Sequence, residues 1–444
     1  MAHIIVTKGL DIPVDGSPEE TSMISSISAD LYALDIPRGY SFKLSVQEGV
    51  KVQAGQLLAQ EKRSGLCIVA PVPATITAIV RGEKRKLEKI VFTPEKVDHH
   101  LGPNLYLLAL KKEALLSELN SSGFLLRPKV RPFNQAVNPQ ILPRTIFVRA
   151  VETAPFTPTA ESQIDSREEE FQVGLTLLSH LAPVHIVSRP NSAVIELCND
   201  LPVNLHTVSG PHPAANPSLH IEKIDPIQST TDCVWTLSAL DVLTLGSYCM
   251  KGQFWIDQII ALTGSALKSG LRRYVRAYPG VALSALLADN PFTQQCRLIS
   301  GDPLTGQALS PDGFLQRDHT VFCAIPEGSK KRGFLSFLKS SSETFTATNT
   351  YIPAHKKAPF TTRQHGERRP FIDGSVYERV MPFTVLPMPM VKALLAEDMD
   401  KAIEYGLLEI VPEDFALADF VCISKVGMMR IVEKGQNRCR HDIG

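Results

Sequence analysis

The stretch "APVPATITAIVRGEKRKLEKIVF", residues 70–92, decides the fold of the first part of the chain. Its run "TITAIV" is rich in β-branched residues, which favour strands. Pro71 and Pro73 lie just before this run and interrupt strand pairing there. The charged segment "RGEKRK" follows the run directly. These features predict a strand that begins after the prolines and ends at a basic strip.

An earlier stretch, "SFKLSVQEGVKVQAGQLLAQ" at 41–60, supplies a second set of strands. Phe42, Leu44 and Val46 alternate with polar residues and so lie on one side of an extended segment. Two glycines six residues apart then flank another short strand and permit tight turns at both of its ends. We expect the two strand sets to pack into a compact barrel-sandwich hybrid.

This pattern resembles lipoyl and biotinyl carrier domains, in which a lysine on the hairpin between the two halves carries the cofactor. The corresponding hairpin reads "EKRSGLCIV" at 61–69, and Lys62 lies between Glu61 and Arg63. Neither the methionine flanks of a biotinyl lysine nor the acidic pattern of a lipoyl lysine is present. We therefore interpret Lys62 as an exposed turn residue; the alternative is a modified lysine in a carrier protein.

Length and composition restrict the class of protein. The 444 residues correspond to about three domains, and 44% apolar residues suffice for packed cores. A formal charge of zero gives no indication of a nucleic-acid partner. The eight cysteines form no Cys-x-x-Cys pair, which favours a reducing compartment. Because Asp241 and Lys251 interrupt the most apolar stretch, "CVWTLSALDVLTLGSYCMKGQFW", we expect no transmembrane span and a cytoplasmic location.

The element pattern predicts an α+β multidomain chain. "TIFVRAV", "SREEEFQVGLTLLSHL" and "PVHIVSR" read as strand, helix and strand, which is a βαβ unit. Helices are also expected at "KKEALLSELNSSG", at "FWIDQIIALTGSALKSG" and at "MVKALLAEDMDKAIEYG", whose Val391, Leu394, Leu395 and Ile403 should be buried. The expected regions are a barrel-sandwich hybrid at 1–100, a helical and Pro/Arg-rich connection at 101–144, a Rossmann-like domain at 145–255, a β-grasp (SLBB-like) domain at 256–328, a basic excursion at 329–374 and a C-terminal helical domain at 375–444.

Motifs for independent chemistry are missing from the sequence. No Gly-x-Gly occurs, so the Rossmann-like domain lacks the usual glycines that let a backbone approach a pyrophosphate. Ser265 and Lys268 make a Ser-x-x-Lys pair, which we interpret as helix surface. His206, His212 and His220 match no common metal spacing, and we expect a proline-rigid surface loop there. We predict no catalytic residue and no metal site.

Eight stretches spread over the chain in order resemble one family, the A subunits of the sodium-translocating NADH:quinone reductases. They are "KGLDIPVDG" (8–16), "VQEGVKVQAGQ" (46–56), "APVPATITAIVRGEKR" (70–85), "VETAPFTPTAE" (151–161), "VSGPHPAANPSLHIEKIDP" (208–226), "ALDVLTLG" (239–246), "RLISGDPLTG" (297–306) and "LLEIVPEDFALADFVCISK" (407–425). The resemblance implies a peripheral subunit on the cytoplasmic face of the bacterial inner membrane, in a complex that oxidises NADH, reduces quinone and exports sodium.

The wider relatives of this family are the C subunit of the Rnf complex and the NADH-binding flavoprotein subunit of complex I. Where the flavoprotein relatives have a glycine-rich run, this chain has "RPKVRPFNQAVNP" (127–139), and of their cysteine clusters only Cys422 remains. The resemblance therefore implies that this subunit binds no cofactor tightly, that NADH, flavins and iron–sulfur centres belong to other subunits, and that quinone is a substrate of the complex. The alternative is a flavin- and NADH-binding oxidoreductase subunit like the complex I flavoprotein.

Two sets of residues are candidates for functional contacts. The Arg/Pro-rich connection and the strand after it are the quinone-proximal candidate, with a buried interdomain linker as the alternative. The basic strip and the basic excursion at 330–369 are the candidates for docking on other subunits of the complex, chiefly the membrane-embedded quinone and flavin subunit. The quinone-proximal residues are Arg127, Arg131, Phe133, Asn134, Glu152 and Phe156, and the docking residues are Arg81, Lys84, Arg85 and Lys86.

Overall fold

The computed structural model describes residues 1–19, 24–95, 102–287, 289–328, 345, 360–364 and 366–443. Most of the basic excursion expected at 329–374 lies outside these residues. Within the described ranges, no helix combines the length and the apolar character needed to cross a bilayer.

The first two strands do not belong to the sandwich. β1 (His3–Ile5) pairs in parallel with the strand Asn204–Ser209, and β2 (Ser25–Ser26) pairs in parallel with the strand Tyr274–Ala277. Within the expected range 1–100, these two strands therefore pair with sheets outside the sandwich. Sequence alternation reports which residues are half-buried, but it does not report which sheet a short strand joins.

Residues from Tyr32 to Pro94 form the predicted barrel-sandwich hybrid. A four-stranded sheet has the order β3-β9-β8-β5, and a three-stranded sheet has the order β4-β6-β7. The strands are β3 (Tyr32–Asp35), β4 (Phe42–Leu44), β5 (Lys51–Val52), β6 (Leu57–Glu61), β7 (Cys67–Val69), β8 (Ala74–Arg81) and β9 (Leu87–Pro94). Lys62 is exposed in the turn between β6 and β7. The buried carboxylate of Glu61 organises this turn by accepting hydrogen bonds from the backbone N–H groups of Arg63 (2.7 Å) and Ser64 (2.6 Å).

A helix and a hairpin connect the sandwich to the next sheet. α1 (Lys112–Ser121) buries Leu115, Leu116 and Leu119 and ends before Gly123, which has a left-handed backbone, as the sequence predicts. The Arg/Pro-rich connection then forms β10 (Lys129–Arg131) and β11 (Gln135–Ala136). β10 pairs with β11 and with the strand Val234–Ser238, antiparallel in both cases.

The Rossmann-like domain is a seven-stranded sheet with the order β1-β14-β13-β12-β15-β10-β11. Its four central strands are parallel and alternate with helices, which is the predicted βαβ arrangement. These elements are β12 (Thr145–Ala150), α2 (Ala160–Ile164), α3 (Glu168–Ser179), β13 (Val184–Ser188), α4 (Ala193–Cys198), β14 (Asn204–Ser209), α5 (Pro217–Ile224), β15 (Val234–Ser238) and α6 (Ala239–Lys251).

The β-grasp domain is a mixed six-stranded sheet with the order β19-β18-β20-β16-β17-β2. Its elements are β16 (Gln258–Thr263), β17 (Tyr274–Ala277), α7 (Leu283–Leu286), β18 (Cys296–Ser300), β19 (Gln307–Leu309) and β20 (Val321–Pro326). The helix predicted at 254–270 is wrong, because its apolar centre is β16. All six residues of β16 are buried, between β17 on one side and β20 on the other. Ser265 and Lys268 accordingly follow a strand and do not lie on a helix.

The C-terminal region is helical, as predicted, but its longest predicted helix is divided. The helices are α8 (Ser375–Glu378), α9 (Pro387–Leu395), α10 (Met399–Glu404), α11 (Ala416–Val421) and α12 (Met428–Ile443). Between α9 and α10, Glu397 has a φ of 61°, and the Asp398 side chain accepts from the Lys401 N–H to cap α10. This break leaves Leu395 exposed, contrary to our expectation, whereas Val391 and Leu394 are buried. The buried faces of these helices share one core with Val187, Val208 and Leu219 of the Rossmann-like domain.

Candidate functional site

A cavity of about 300 Å³ opens at the carboxyl ends of β12 and β15. From β12 the chain moves outward to β13 and β14 and then returns to β15 on the other side of β12, so the strand order reverses between β12 and β15. In open α/β sheets, ligands bind at such a switch point. Loops from the β-grasp domain and from the C-terminal region complete the walls, so three parts of the chain contribute to the cavity.

Charged side chains of both signs line the cavity. The five cations are Arg127, Lys129, Arg131, Arg149 and Arg317, and the six carboxylates are Glu152, Asp241, Asp302, Asp318, Glu413 and Asp414. Apolar groups of Pro158, Leu237, Leu240 and Val411 lie among them. The lining is therefore mixed, whereas most ligand pockets are lined mainly by apolar side chains with a few polar groups.

The Asp241 carboxylate offsets the partial positive charge at the N-terminus of α6, which lies at one wall of the cavity. Its Oδ2 accepts from the Ser238 N–H (2.9 Å) and hydroxyl (2.7 Å), and Ser238 Oγ in turn accepts from the Asp241 N–H, which is a reciprocal capping box. Arg127 Nη1 donates to Asp241 Oδ1 at 3.1 Å. The position where a helix N-terminus attracts a ligand anion is thus occupied by a carboxylate of the chain itself.

Arg131 and Asp414 face each other through a serine. Arg131 Nη1 donates to Ser218 Oγ (2.7 Å), and the Ser218 hydroxyl donates to Asp414 Oδ2 (2.5 Å). Asp414 also accepts from Asn216 Nδ2 and from the Val411 N–H. Arg131 is 5% exposed and its Nε has no partner among the described residues. The Rossmann-like sheet and the C-terminal region therefore meet through a buried charge pair.

Burial shifts the protonation equilibria of these groups towards their neutral forms. It lowers the pKa of Arg131, although Asp414 and Glu413 oppose that shift, and it lowers the pKa of Arg127 against the opposing charge of Asp241. It raises the pKa of Glu152, whose carboxylate lies 3.1 Å from the Arg149 guanidinium. Burial likewise raises the pKa of Asp414. A hydrogen-bonding ligand in the cavity would therefore contact charged side chains that have lost part of their hydration.

The structure brings four of the six quinone-proximal residues together. Arg127, Arg131, Asn134 and Glu152 line the cavity. Phe133 instead packs on the C-terminal core, and Phe156, with a φ of 69°, packs against apolar residues of β18 and β20. The two aromatic rings therefore lie outside the cavity wall.

Sequence reasoning missed several residues of the cavity. Asp241 had a readable signal, because Ser238-x-x-Asp241 is a capping pattern at a strand-to-helix junction. Asp302, Arg317 and Asp318 come from the β-grasp domain, and Asp414 comes from the C-terminal region. No local pattern relates these positions to Arg127 or Glu152.

The three histidines lie in the interior, so their assignment to a surface loop is wrong. His206 accepts from the Ala2 N–H at Nδ1 (3.1 Å), and its other ring nitrogen is 2.9 Å from His185 Nδ1. His212 bonds to Thr153, and His220 donates from Nε2 to the Ala214 carbonyl at 2.8 Å. Each ring has its own partners, and the described residues hold no group of three or more potential metal ligands.

The docking candidates occupy the hairpin tip between β8 and β9. Arg81, Lys84, Arg85 and Lys86 are all exposed. Lys84 and Arg85 have positive φ values of 55° and 58°, and Arg81 Nη1 donates to the Arg85 carbonyl at 3.1 Å. The strip is therefore a structured turn whose basic side chains are exposed to solvent.

Comparison with known sequences identifies three matching family profiles. They are the NqrA N-terminal barrel-sandwich hybrid domain at residues 4–95, the NqrA second alpha/beta domain at 110–254 and the NQRA C-terminal domain at 259–310. Together these ranges cover more than half of the chain and agree with the sandwich, the Rossmann-like sheet and the β-grasp sheet seen in the structure.

Curated relatives match over nearly the whole chain. The A subunit of the Na(+)-translocating NADH-quinone reductase from Chlamydia caviae is 35% identical over an alignment of 451 positions, gaps included, that covers 97% of this chain and 95% of the relative. The Chlamydia pneumoniae protein of the same name is 35% identical, with 97% and 96% covered. The Pseudomonas aeruginosa protein is 32% identical, with 95% and 96% covered. The chain thus belongs to the NqrA family, the A subunits of the Na(+)-translocating NADH-quinone reductases.

Proposed function

We propose that this chain is a peripheral subunit, without a redox centre of its own, of a complex that oxidises NADH, reduces quinone and exports sodium. The single observation that supports membership of the complex is the match to NqrA relatives over 97% of the chain. We place the subunit on the cytoplasmic face of the bacterial inner membrane, beside a membrane-embedded subunit. NADH, flavins and iron–sulfur centres belong to the other subunits.

Two features of the structure support the absence of a tightly bound nucleotide cofactor. The segment that replaces the glycine-rich run uses its backbone in β10 and β11, so its N–H groups serve a sheet and do not form a phosphate cradle. The Asp241 carboxylate occupies the N-terminus of α6 at the switch point. A phosphate there would meet a negative charge that is already bonded.

Spectroscopy of the purified subunit tests this part of the proposal. We expect a colourless protein after gel filtration and no thermal shift with NADH, FMN or FAD. The alternative, a flavin- and NADH-binding subunit like the complex I flavoprotein, predicts a yellow protein with stoichiometric flavin. Retained flavin absorbance would rule out a subunit without a redox centre.

We also place the quinone-reduction step beside the cavity lined by Arg127, Arg131, Asn134 and Glu152. Guanidinium donors there could bond to quinone carbonyls, and apolar groups among them could contact the ring. Glu152→Gln keeps the shape of the side chain and removes its charge. In the assembled complex we expect the KM for quinone to rise about tenfold, because the Arg149 guanidinium, 3.1 Å from the Glu152 carboxylate, loses the charge that positions its donors for a quinone carbonyl, while NADH oxidation by an artificial acceptor is unchanged.

The matched control for Glu152 is Arg297→Gln, which breaks an ion pair with Glu327, and neither residue lines the cavity. This variant should leave the KM for quinone unchanged. Normal quinone kinetics in the Glu152→Gln complex would contradict the proposal that quinone is reduced beside this cavity.

The basic strip is the proposed contact with the membrane-embedded subunit. Reversing the charges of Lys84, Arg85 and Lys86 to glutamate should release the chain from washed membranes, because four exposed cations at one hairpin tip attract an acidic partner surface. High ionic strength should likewise release the native chain from the membranes, because salt screens the attraction between the strip and an acidic surface. Full retention of the triple variant on membranes would exclude docking through the strip.

A further inference from the structure

A second cavity, the basic groove, lies between the sandwich and the β-grasp sheet and has a volume of about 580 Å³. One wall is formed by residues 35–40, which begin at the last residue of β3, and by residues 86–89, which begin just before β9. β19 and residues 314–318 form the other wall. The volume falls within the range of ligand-binding clefts in proteins.

One wall of the groove includes the end strand of the β-grasp sheet. β19 is the outermost strand of its sheet among the described residues, and it pairs only with β18. Gln307 and Ala308 of this strand are exposed. The outward backbone N–H and C=O groups of an edge strand are a template for the addition of another extended chain.

The groove carries an excess of positive charge. Its five cations face three carboxylates, and the carboxylates are Asp35, Glu88 and Asp318. Lys89 lies 3.5 Å from Asp35, while Lys129 and Arg317 both pair with Asp318. The two remaining cations, Arg38 and Lys86, have no carboxylate partner among the described residues, and Arg38 donates to the neutral Gln307 amide at 3.1 Å.

We propose that the basic groove binds an extended, acidic segment of another subunit, which adds a strand to the edge of β19 and places carboxylates on Arg38 and Lys86. This inference rests on the docking function proposed above and specifies its contact. Lys86 is the only member of the strip that lines the groove; Arg81, Lys84 and Arg85 do not. A planar lipid surface fits poorly, because the two cations lie in a concave cleft beside a strand edge.

Peptide binding to the purified full chain tests the groove directly. The probe is a fluorescein-labelled hexaglutamate peptide, with hexaglutamine as the neutral control. We expect binding of hexaglutamate only, weakened by salt, and a Kd at least tenfold higher for Arg38→Glu/Lys86→Glu. The matched control, Lys84→Glu/Arg85→Glu, has the same total charge change next to Lys86 but outside the groove lining, and should bind like the native chain.

Several results would contradict the proposal that the basic groove binds an acidic segment. These are no binding of hexaglutamate, equal losses in both double variants, or displacement of the peptide by tripolyphosphate as effectively as by unlabelled peptide, which would indicate a simple anion site. The conservative variant Arg38→Lys/Lys86→Arg guards against misfolding, because it should keep native affinity and native thermal stability.

Retention on membranes separates this inference from the broader docking proposal. If Arg38→Glu/Lys86→Glu releases the chain and Lys84→Glu/Arg85→Glu does not, the groove is the contact. If only the second variant releases the chain, docking through the strip stands and the groove is overturned. If neither releases it, both proposals fail.

Discussion

The interior histidines of this protein are held in their neutral forms by burial. Burial lowers the pKa of His206 to about 4, with His185 and the terminal amine adding to the shift, and burial lowers the pKa of His220 to about 4. The hydrogen bonds agree with neutral rings. A carbonyl only accepts, so His220 Nε2 carries the proton, and His206 Nδ1 is an acceptor and therefore unprotonated.

Acid should consequently destabilise the fold through these residues. A histidine with a folded pKa of about 4 and an unfolded pKa of about 6.5 takes up a proton on unfolding between these values, so the free energy of unfolding falls as pH falls through that window. Between pH 7 and pH 5 we expect His220 to account for about 2 kcal/mol. In urea unfolding, His220→Gln should lose about that much less than the native chain on acidification. An identical pH dependence of the two proteins would contradict this assignment.

At the scale of elements, two helices pack through reciprocal glycines. A Cβ added at Gly174 of α3 would overlap the Val242 carbonyl of α6, and a Cβ at Gly246 of α6 would overlap the Glu170 carbonyl of α3. The backbones of α3 and α6 therefore approach more closely than helices with side chains at the contact. This contact fixes the helix that follows β15 and carries Asp241 at the cavity.

Gly246→Ala tests the close approach. Helix propensity alone would make alanine stabilising by about 1 kcal/mol, whereas overlap with a backbone oxygen should destabilise the chain by about 3 kcal/mol, so the sign of the change decides which effect dominates. The control is Gly270→Ala, whose added Cβ meets no atom within 4 Å. Thermal unfolding should therefore show a lowered Tm for Gly246→Ala only. An unchanged or raised Tm for Gly246→Ala would refute the steric argument.

The elements that could be predicted from the sequence were those with an unambiguous period. The apolar spacing of α1 and of α3 and the alternation in the sandwich correspond to the observed elements. β16 could not be distinguished from a helix, because a short continuous apolar run fits a buried strand and a buried helix equally. Its pairing with β17 and β20, which decides the outcome, is a property of distant segments.

At the scale of the whole molecule, the cavity is where long-range contacts meet. Arg127, Arg131 and Glu152 could be proposed as one site because the Arg/Pro-rich connection replaces the glycine-rich run of the flavoprotein relatives, and Glu152 follows the next strand along the chain. Asp318 and Asp414 could not be assigned, because the β-grasp and C-terminal regions reach the cavity only after folding. The buried pair of Arg131 and Asp414 is thus a consequence of domain packing.

That pair should control how firmly the C-terminal region is held. Asp414→Ala removes one of the two carboxylates, Asp414 and Glu413, that offset the burial of the Arg131 guanidinium, so we expect a loss of about 3 kcal/mol in the free energy of unfolding by urea. Replacing both partners, as Arg131→Met/Asp414→Leu, should cost much less, because no buried charge is left uncompensated. Lys401→Ala, which breaks an exposed pair with Asp398, should leave the free energy of unfolding nearly unchanged. If the double variant is as unstable as Asp414→Ala, packing and not charge pairing joins the C-terminal region to the sheet.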